Sequence, residues 1–284
     1  MRHVISILCC LLFISTQSKA QYDKKVDFNL VVSYAYDFQP DSTDPAFRLN
    51  ETMLLLIGKD FSQFISEDLF KEDSTRIAWK EEMERTQARV PTMPPRPQKD
   101  GSQRQRAKIP TKIFKEFSAG QYILSSTFGV HSAQYTESLN QHNWQLSDEE
   151  KQVAGYTCKK ATATFSGRSY VAWYTPEIPI SDGPYKFTGL PGLILSLSDT
   201  AGHHVFTAKA VEKKNKSVQL YQRSGELFHP FATRQEFIAY ANELKADPAK
   251  MFEQPFLQVP EKILQTQVEQ VKKSVAKNNN PIEL

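Results

Sequence analysis

Cysteine is nearly missing from this chain. Its 284 residues contain three, Cys9 and Cys10 near the start and Cys158 alone in the remainder. A single cysteine in the body excludes an internal disulfide, so a folded domain must draw its stability from its core. Zinc signatures are missing as well: there is no HExxH and no CxxC, and His131, His142 and His229 are scattered. His203 and His204 are adjacent, so on a strand they diverge and cannot share one ion. No metal and no cofactor are therefore expected. Charge of one sign is also lacking. Lys and Arg number 35 against 32 Asp and Glu, which gives no general case for binding nucleic acid. No apolar run approaches the roughly 20 residues that a spanning helix needs, and no internal repeat is visible.

What is present begins with an export signal. Arg2 precedes a short apolar run, Val4–Ser15, and Ser18 and Ala20 put small residues at alternate positions after it. That order is the pattern of a secretory signal peptide over residues 1–20, cut before Gln21, with acylation at Cys9 or Cys10 as the alternative. Cleavage removes Arg2 and Lys19 from the 35 basic residues, so 33 face 32 acidic ones in the mature chain. The expected product is a single domain over 21–284 without a transmembrane segment. Its expected place is the periplasm or the periphery of the outer membrane.

Periodicity then sets the fold class. Val26, Phe28, Leu30, Val32, Tyr34 and Tyr36 alternate as one face of a half-buried strand. Residues 52–66 read as two strands about a Gly58–Lys59–Asp60 turn, followed by a mostly exposed helix. Residues at about 90–110 form a basic, proline-rich loop, because Pro94, Pro95 and Pro97 exclude regular structure. From Ile109 come three short strands, then a polar turn and two long strands about Ser166–Gly167–Arg168. A strand over Leu193–Leu197 and a hairpin about Lys214–Asn215 complete the β pattern. Helical spacing takes over in a C-terminal segment, 232–277, with Phe237, Ile238, Ala241 and Leu244 on one face. The expected class is α+β: a strongly curved antiparallel sheet, half-open and barrel-like, with flanking helices and a helical C-terminus.

The most singular stretch is Tyr185–Asp199, YKFTGLPGLILSLSD. Pro191 suits the first central position of a type II turn and Gly192 the second, which needs a positive φ, while Gly189 permits a close approach. A phosphate-cradling loop would need more glycines, or a Lys and Ser/Thr in P-loop order, and neither is present. The residues read as a tight turn that feeds a buried strand. Together with GYTCKKA, AWYT, EIP, DGPYKF and the terminal NNPIEL, they closely resemble the GLPGLI family of exported proteins, found mainly in Bacteroidota. The hexapeptide of that name stands here as Gly189, Leu190, Pro191, Gly192, Leu193 and Ile194. The resemblance implies a cell-envelope location and no particular reaction.

Candidate chemistry is sparse. Cys158 with His203 or His204 suggests a nucleophile pair, but YTCKKATATF is a strand interior, where a thiol is more at home as a small apolar group. Glu177 and Asp182 flank IPIS and offer two carboxylates for glycoside hydrolysis, although Asp182 before Gly183–Pro184 also suits a turn. Trp173, Tyr174, Tyr185 and Phe187, with Asp182, frame one loop and are the expected binding residues for a lipid, a peptide or an outer-membrane protein. The leading expectation is a periplasmic ligand-binding carrier or outer-membrane accessory protein. A hydrolase using carboxylates near Asp182 and a structural assembly partner are the alternatives.

Overall fold

The computed structural model describes residues 25–86, 107–139, 142–220, 227–254 and 259–283. The expected signal peptide and residues 87–106 of the proline-rich loop lie outside the described residues. The strands are β1 (Lys25–Phe38), β2 (Leu49–Ile57), β3 (Phe61–Ser66), β4 (Thr111–Glu116), β5 (Gln121–Phe128) and β6 (His131–Ser138). They continue as β7 (Gln145–Val153), β8 (Tyr156–Phe165), β9 (Arg168–Thr175), β10 (Leu193–Asp199), β11 (His204–Gln219) and β12 (Phe228–Phe231). The helices are α1 (Glu67–Thr86), α2 (Arg234–Ala246) and α3 (Glu261–Ala276), with a 3-10 turn at Pro248–Phe252. Among the described residues the strands form one curved, unclosed sheet, ordered β12-β6-β5-β4-β3-β2-β1-β11-β10-β9-β8-β7.

The alternation in β1 places Leu30, Val32, Tyr34, Tyr36 and Phe38 on the inner face, where the main core gathers. A bulge between Phe28 and Leu30 turns Phe28 to the opposite face. There it joins Leu56, Ile65, Phe114 and Ile123 beneath Leu69 and Phe70 of α1. The same parity divides β4. Lys112 and Phe114 face α1, where Lys112 pairs with Asp73, while Ile113 and Lys115 point inward. On the other flank, α2 starts at a capping box between Thr233 and Glu236 and seats Phe237 against Tyr135 and Phe128.

Several expectations are corrected. No hairpin turns at Lys214–Asn215: β11 runs through it, because its partner β1 is long enough to pair from His204 to Gln219. The polar stretch before Val153 is strand β7, and the turn is Ala154–Gly155, both with positive φ. The sheet is not wholly antiparallel, since β12 pairs in parallel with β6. The GLPG turn also differs. The amide of Gly192 donates to the Leu190 carbonyl at 2.8 Å, which closes a three-residue turn about Pro191. Gly189 takes the left-handed φ of 94°, and Gly192 makes the close approach: a Cβ there would overlap the Thr175 carbonyl. Gly192 thus combines the positive φ expected of it, 158°, with the close approach.

Candidate functional site

Between β9 and β10 the chain does not turn directly. Residues 176–192 lie over the inner face, and Asp182, Gly183, Pro184, Lys186, Phe187 and Thr188 are buried there. This loop ties strands that are far apart in sheet order. The Lys115 ammonium of β4 donates to Asp182 Oδ1 at 2.6 Å and to the Gly183 carbonyl at 2.7 Å. Four strands stand between β4 and β10. At roughly 4.8 Å per strand a flat sheet would hold them about 24 Å apart. Curvature brings them within reach of one loop. Both side chains of the pair are fully buried, and Asp182 Oδ2 has no partner. Burial drives the Lys115 pKa down against the opposing pull of Asp182.

Phe187 is the centre of an aromatic set. Its ring lies 4.7 Å from Tyr170, 4.8 Å from His142 and 5.2 Å from Phe165. Trp144 anchors the same loop through its indole N–H, which donates to the Thr188 carbonyl at 2.8 Å. Tyr174 is buried in the main core, whereas Trp173, its neighbour on β9, is half-buried, packs against the edge of that core and lies beneath the Lys151 ammonium. Tyr174, Tyr185 and Phe187 all pack in or on the main core, and Asp182 is buried beside them. In the hexapeptide, Leu190, Gly192, Leu193 and Ile194 are buried, and Gly189 and Pro191 are exposed.

Beside Phe187 opens a polar pocket of about 90 Å³, lined by Tyr122, Glu137, His142, Phe165, Ser166, Lys186, Arg234 and Glu283. The Lys186 ammonium sits 5.1, 5.5 and 5.3 Å from the ring centres of Tyr122, Tyr135 and Tyr185. It donates to the Tyr135 hydroxyl at 2.8 Å and pairs with Glu283. The Tyr185 hydroxyl donates to the same oxygen, Glu283 Oε1, at 2.6 Å, and Arg234, at the start of α2, takes Oε2. Burial lowers the pKa of Lys186, opposed by Glu283, and burial raises that of Tyr185. Burial also holds His142 below the usual imidazole value.

Glu283 belongs to a C-terminal tail laid across the same side. Arg168 donates from Nε and Nη2 to the Pro281 carbonyl at 3.1 and 2.8 Å, and from Nη2 to Asn280 Oδ1 at 2.5 Å. The Tyr170 hydroxyl donates to the Ile282 carbonyl at 2.7 Å. Asn280 donates from its amide to the Pro40 carbonyl and from Nδ2 to the Gln39 carbonyl. Arg168 is itself held by Asp199 at 3.1 Å.

Cys158 is buried, and burial pushes its thiol up to about 11. His203 and His204 sit with Arg168, Asp199 and Tyr36, so each is occupied away from Cys158. Among the described residues there is no group of three or more His, Cys, Asp or Glu that could hold a metal ion. No helix among them is long and apolar enough to cross a membrane. Inspection of the sequence did not single out Lys115, Lys186, Arg168, Arg234 or Glu283. The available signal was a lysine at an inward position of an apolar strand, Lys115 two residues after Ile113, and a polar tail with no helical pattern.

Residues 165–196 match a protein family described as a protein of unknown function (Porph_ging). Two solved structures of PNGF-II, in C2 and P21 space groups, are similar with a TM-score of 0.45 and 13% identity. The similarity covers 76% of this chain and 32% of that one, so this chain spans about a third of its length. No curated protein matches this chain.

Proposed function

We propose that this is an exported cell-envelope protein of the GLPGLI type, as known from Bacteroidota, that binds a polypeptide segment in the periplasm or at the outer-membrane periphery. One observation carries the reading. Side chains projecting from β9, from the loop 176–192 and from α2 hold the segment Pro281–Glu283 through two backbone carbonyls and one carboxylate. Such an array of prepositioned donors is suited to holding a chain. The lining of charged and phenolic groups favours a polypeptide over a lipid tail, whose burial would strand those groups without partners. The family resemblance and the leader support the compartment. Asp182 is not placed for hydrolysis, because it is fully buried and paired with Lys115, out of reach of a substrate.

The test is mild crosslinking in the native envelope, affinity purification, and mass spectrometry for proteins and lipids together. One polypeptide enriched with wild type and reduced with Lys186→Met supports the reading. Enrichment of lipid alone, or of nothing above a control, removes it.

A further inference from the structure

The tail and the face that holds it divide into two chemistries. On the tail, each residue from Asn279 to Glu283 has a hydrogen-bond partner elsewhere in the fold. Asn279 Oδ1 accepts from Ser42 and its Nδ2 donates to Asp41, and Asn280 fills a buried position between Gln39 and Arg168. The carbonyls of Pro281 and Ile282 accept from Arg168 and Tyr170, and the Glu283 carboxylate is shared by Tyr185, Lys186 and Arg234. The held sequence is Asn-Pro-Ile-Glu, with a bend at Ile282.

The face does not depend on the tail for its own geometry. Arg168 is held by Asp199, Lys186 by the Tyr135 hydroxyl and a surround of three tyrosine rings, and Arg234 by the capped start of α2. What the face does need is a carboxylate. The Lys186 side chain is 3% exposed, and a buried ammonium without a counter-charge is strongly unfavourable. Meanwhile the segment leading to the tail is weakly held. Helix α3 has no buried residue, lacks a side-chain cap at Pro260, and packs chiefly on the 3-10 turn Pro248–Phe252. The pocket beside Glu283 also has about 90 Å³ to spare, near the volume that three waters take in the liquid. An occupant with more bulk next to its carboxylate than this tail would fit there.

We propose that the track from Gln39 through Arg168 and Tyr170 to Lys186 and Arg234 is a recognition site for an acidic peptide of the form Asn-Pro-aliphatic-Glu. The protein's own tail is its resident occupant, and a segment of a partner polypeptide with the same chemistry displaces it. This rests on the polypeptide-binding reading above and names the ligand class. Specificity resides at two positions: the asparagine, whose amide is satisfied on both sides, and the glutamate. Backbone contacts to the two residues between them set the register.

The probe is a fluorescein-labelled synthetic peptide, NNNPIEL, the sequence of residues 278–284. Its anisotropy is followed on the full mature chain, as wild type and as Glu283→Gln, whose own tail has lost its charge. Glu283→Gln should bind the probe at least about tenfold more tightly than wild type, since the competing occupant is weakened. Lys186→Met in that background, or a probe with glutamine for its glutamate, should lose at least about tenfold. Absence of saturable binding to a Glu283→Gln chain with native circular dichroism overturns the proposal, as does equal binding of a scrambled peptide. Should Glu283→Gln not fold, hydrogen exchange on wild type decides. Excess probe must speed exchange of the Asn280 amide, which donates to the Pro40 carbonyl, and unchanged exchange at high probe concentration overturns the proposal. Light scattering showing a dimer built by exchanged tails would also overturn it, because the occupant would then be a second copy. A failed peptide assay with retained crosslinking to an envelope polypeptide sinks this inference alone and leaves the binding reading standing.

Discussion

Asp182→Asn isolates the value of the charge pair beneath the signature loop. Asparagine keeps the size of the side chain and the oxygen that accepts the Gly183 amide at 2.8 Å. It removes only the negative charge opposite Lys115. The ammonium then retains the Gly183 carbonyl at 2.7 Å and loses its 2.6 Å carboxylate, in a site with no solvent contact. Breaking one side of a buried pair costs about 3–5 kcal/mol. An upper limit follows from the lysine itself. It can escape by shedding its proton, and at pH 7 that costs about 1.4 kcal/mol per unit over roughly 3.4 units, about 5 kcal/mol. The predicted loss is therefore about 3–5 kcal/mol, read by urea unfolding.

That escape gives the loss a pH signature. In the variant the folded state holds a neutral Lys115, while the unfolded state keeps the proton up to about pH 10.4. The unfolded state thus binds more protons, and variant stability rises with pH across that window by about 1.4 kcal/mol per unit. In wild type Lys115 is also lowered by burial, but Asp182 opposes the shift, so the gap between the two chains narrows between pH 7 and 9.5. The double variant Lys115→Met with Asp182→Asn should recover most of the loss, because no charge is left buried. A gap below about 1 kcal/mol at pH 7, or one that stays constant to pH 9.5, refutes the reasoning.

Three further outcomes can be checked on the same protein. Gly192→Ala should destabilise by more than about 2 kcal/mol, because its Cβ would overlap the Thr175 carbonyl. Gly155→Ala, with φ of 86° and open space around it, should cost only about 1 kcal/mol; equal losses in thermal melts would contradict the assignment. Burial, with Arg168 nearby, pushes His204 down to about 4, whereas in the unfolded chain it titrates near 6.5. Between those values the unfolded state binds the extra proton, so up to about 3 kcal/mol is lost as pH falls from 6.5 to 4. Parallel stability–pH curves for wild type and His204→Gln would exclude it. Cys158 is buried, with its thiol pushed up to about 11. Native protein should react with a thiol reagent roughly a hundredfold more slowly than unfolded protein, and rapid native labelling would show an accessible thiol.

The alternation of β1 was legible because each large residue reports its own side of the strand. So was the exposed α1, whose charged residues pair at helical spacing, as Lys71 does with Glu67. Strand β12 was not. Its four residues, Phe228–Phe231, include Pro230, and their pairing with β6 depends on where α2 and the preceding chain are carried. The continuity of β11 through its lysines was hidden for a related reason. Exposed polar residues look alike in a turn and at the end of a long strand, and only the length of β1 decides between them. In the site, Asp182 drew attention as a carboxylate beside a loop. Its partner lies 67 residues away on β4, and no local pattern announces a contact made by sheet curvature. The tail's contacts with Arg168 and Tyr170 span 112 or 113 residues, beyond the reach of periodicity.

The signature loop and the tail form one arrangement, and the order of residues in the loop explains why. Gly183 is pressed against Ile194, leaving no room for a Cβ, so the hexapeptide's strand fixes the height of Asp182 and hence its pairing with Lys115. Three and four residues on, Tyr185 and Lys186 reach the Glu283 carboxylate, and Phe187 seals the floor against Tyr170, whose hydroxyl holds Ile282. Tyr185 has a positive φ of 56°, a conformation that a bulky residue adopts only when its surroundings require it. Here the requirement is visible: the turn lets neighbouring residues 185 and 186 converge on one carboxylate. The strand that follows the glycine-proline turn therefore does more than fill the core. Through Gly183 and Asp182 it sets the start of the turn that carries Tyr185 and Lys186 to the tail.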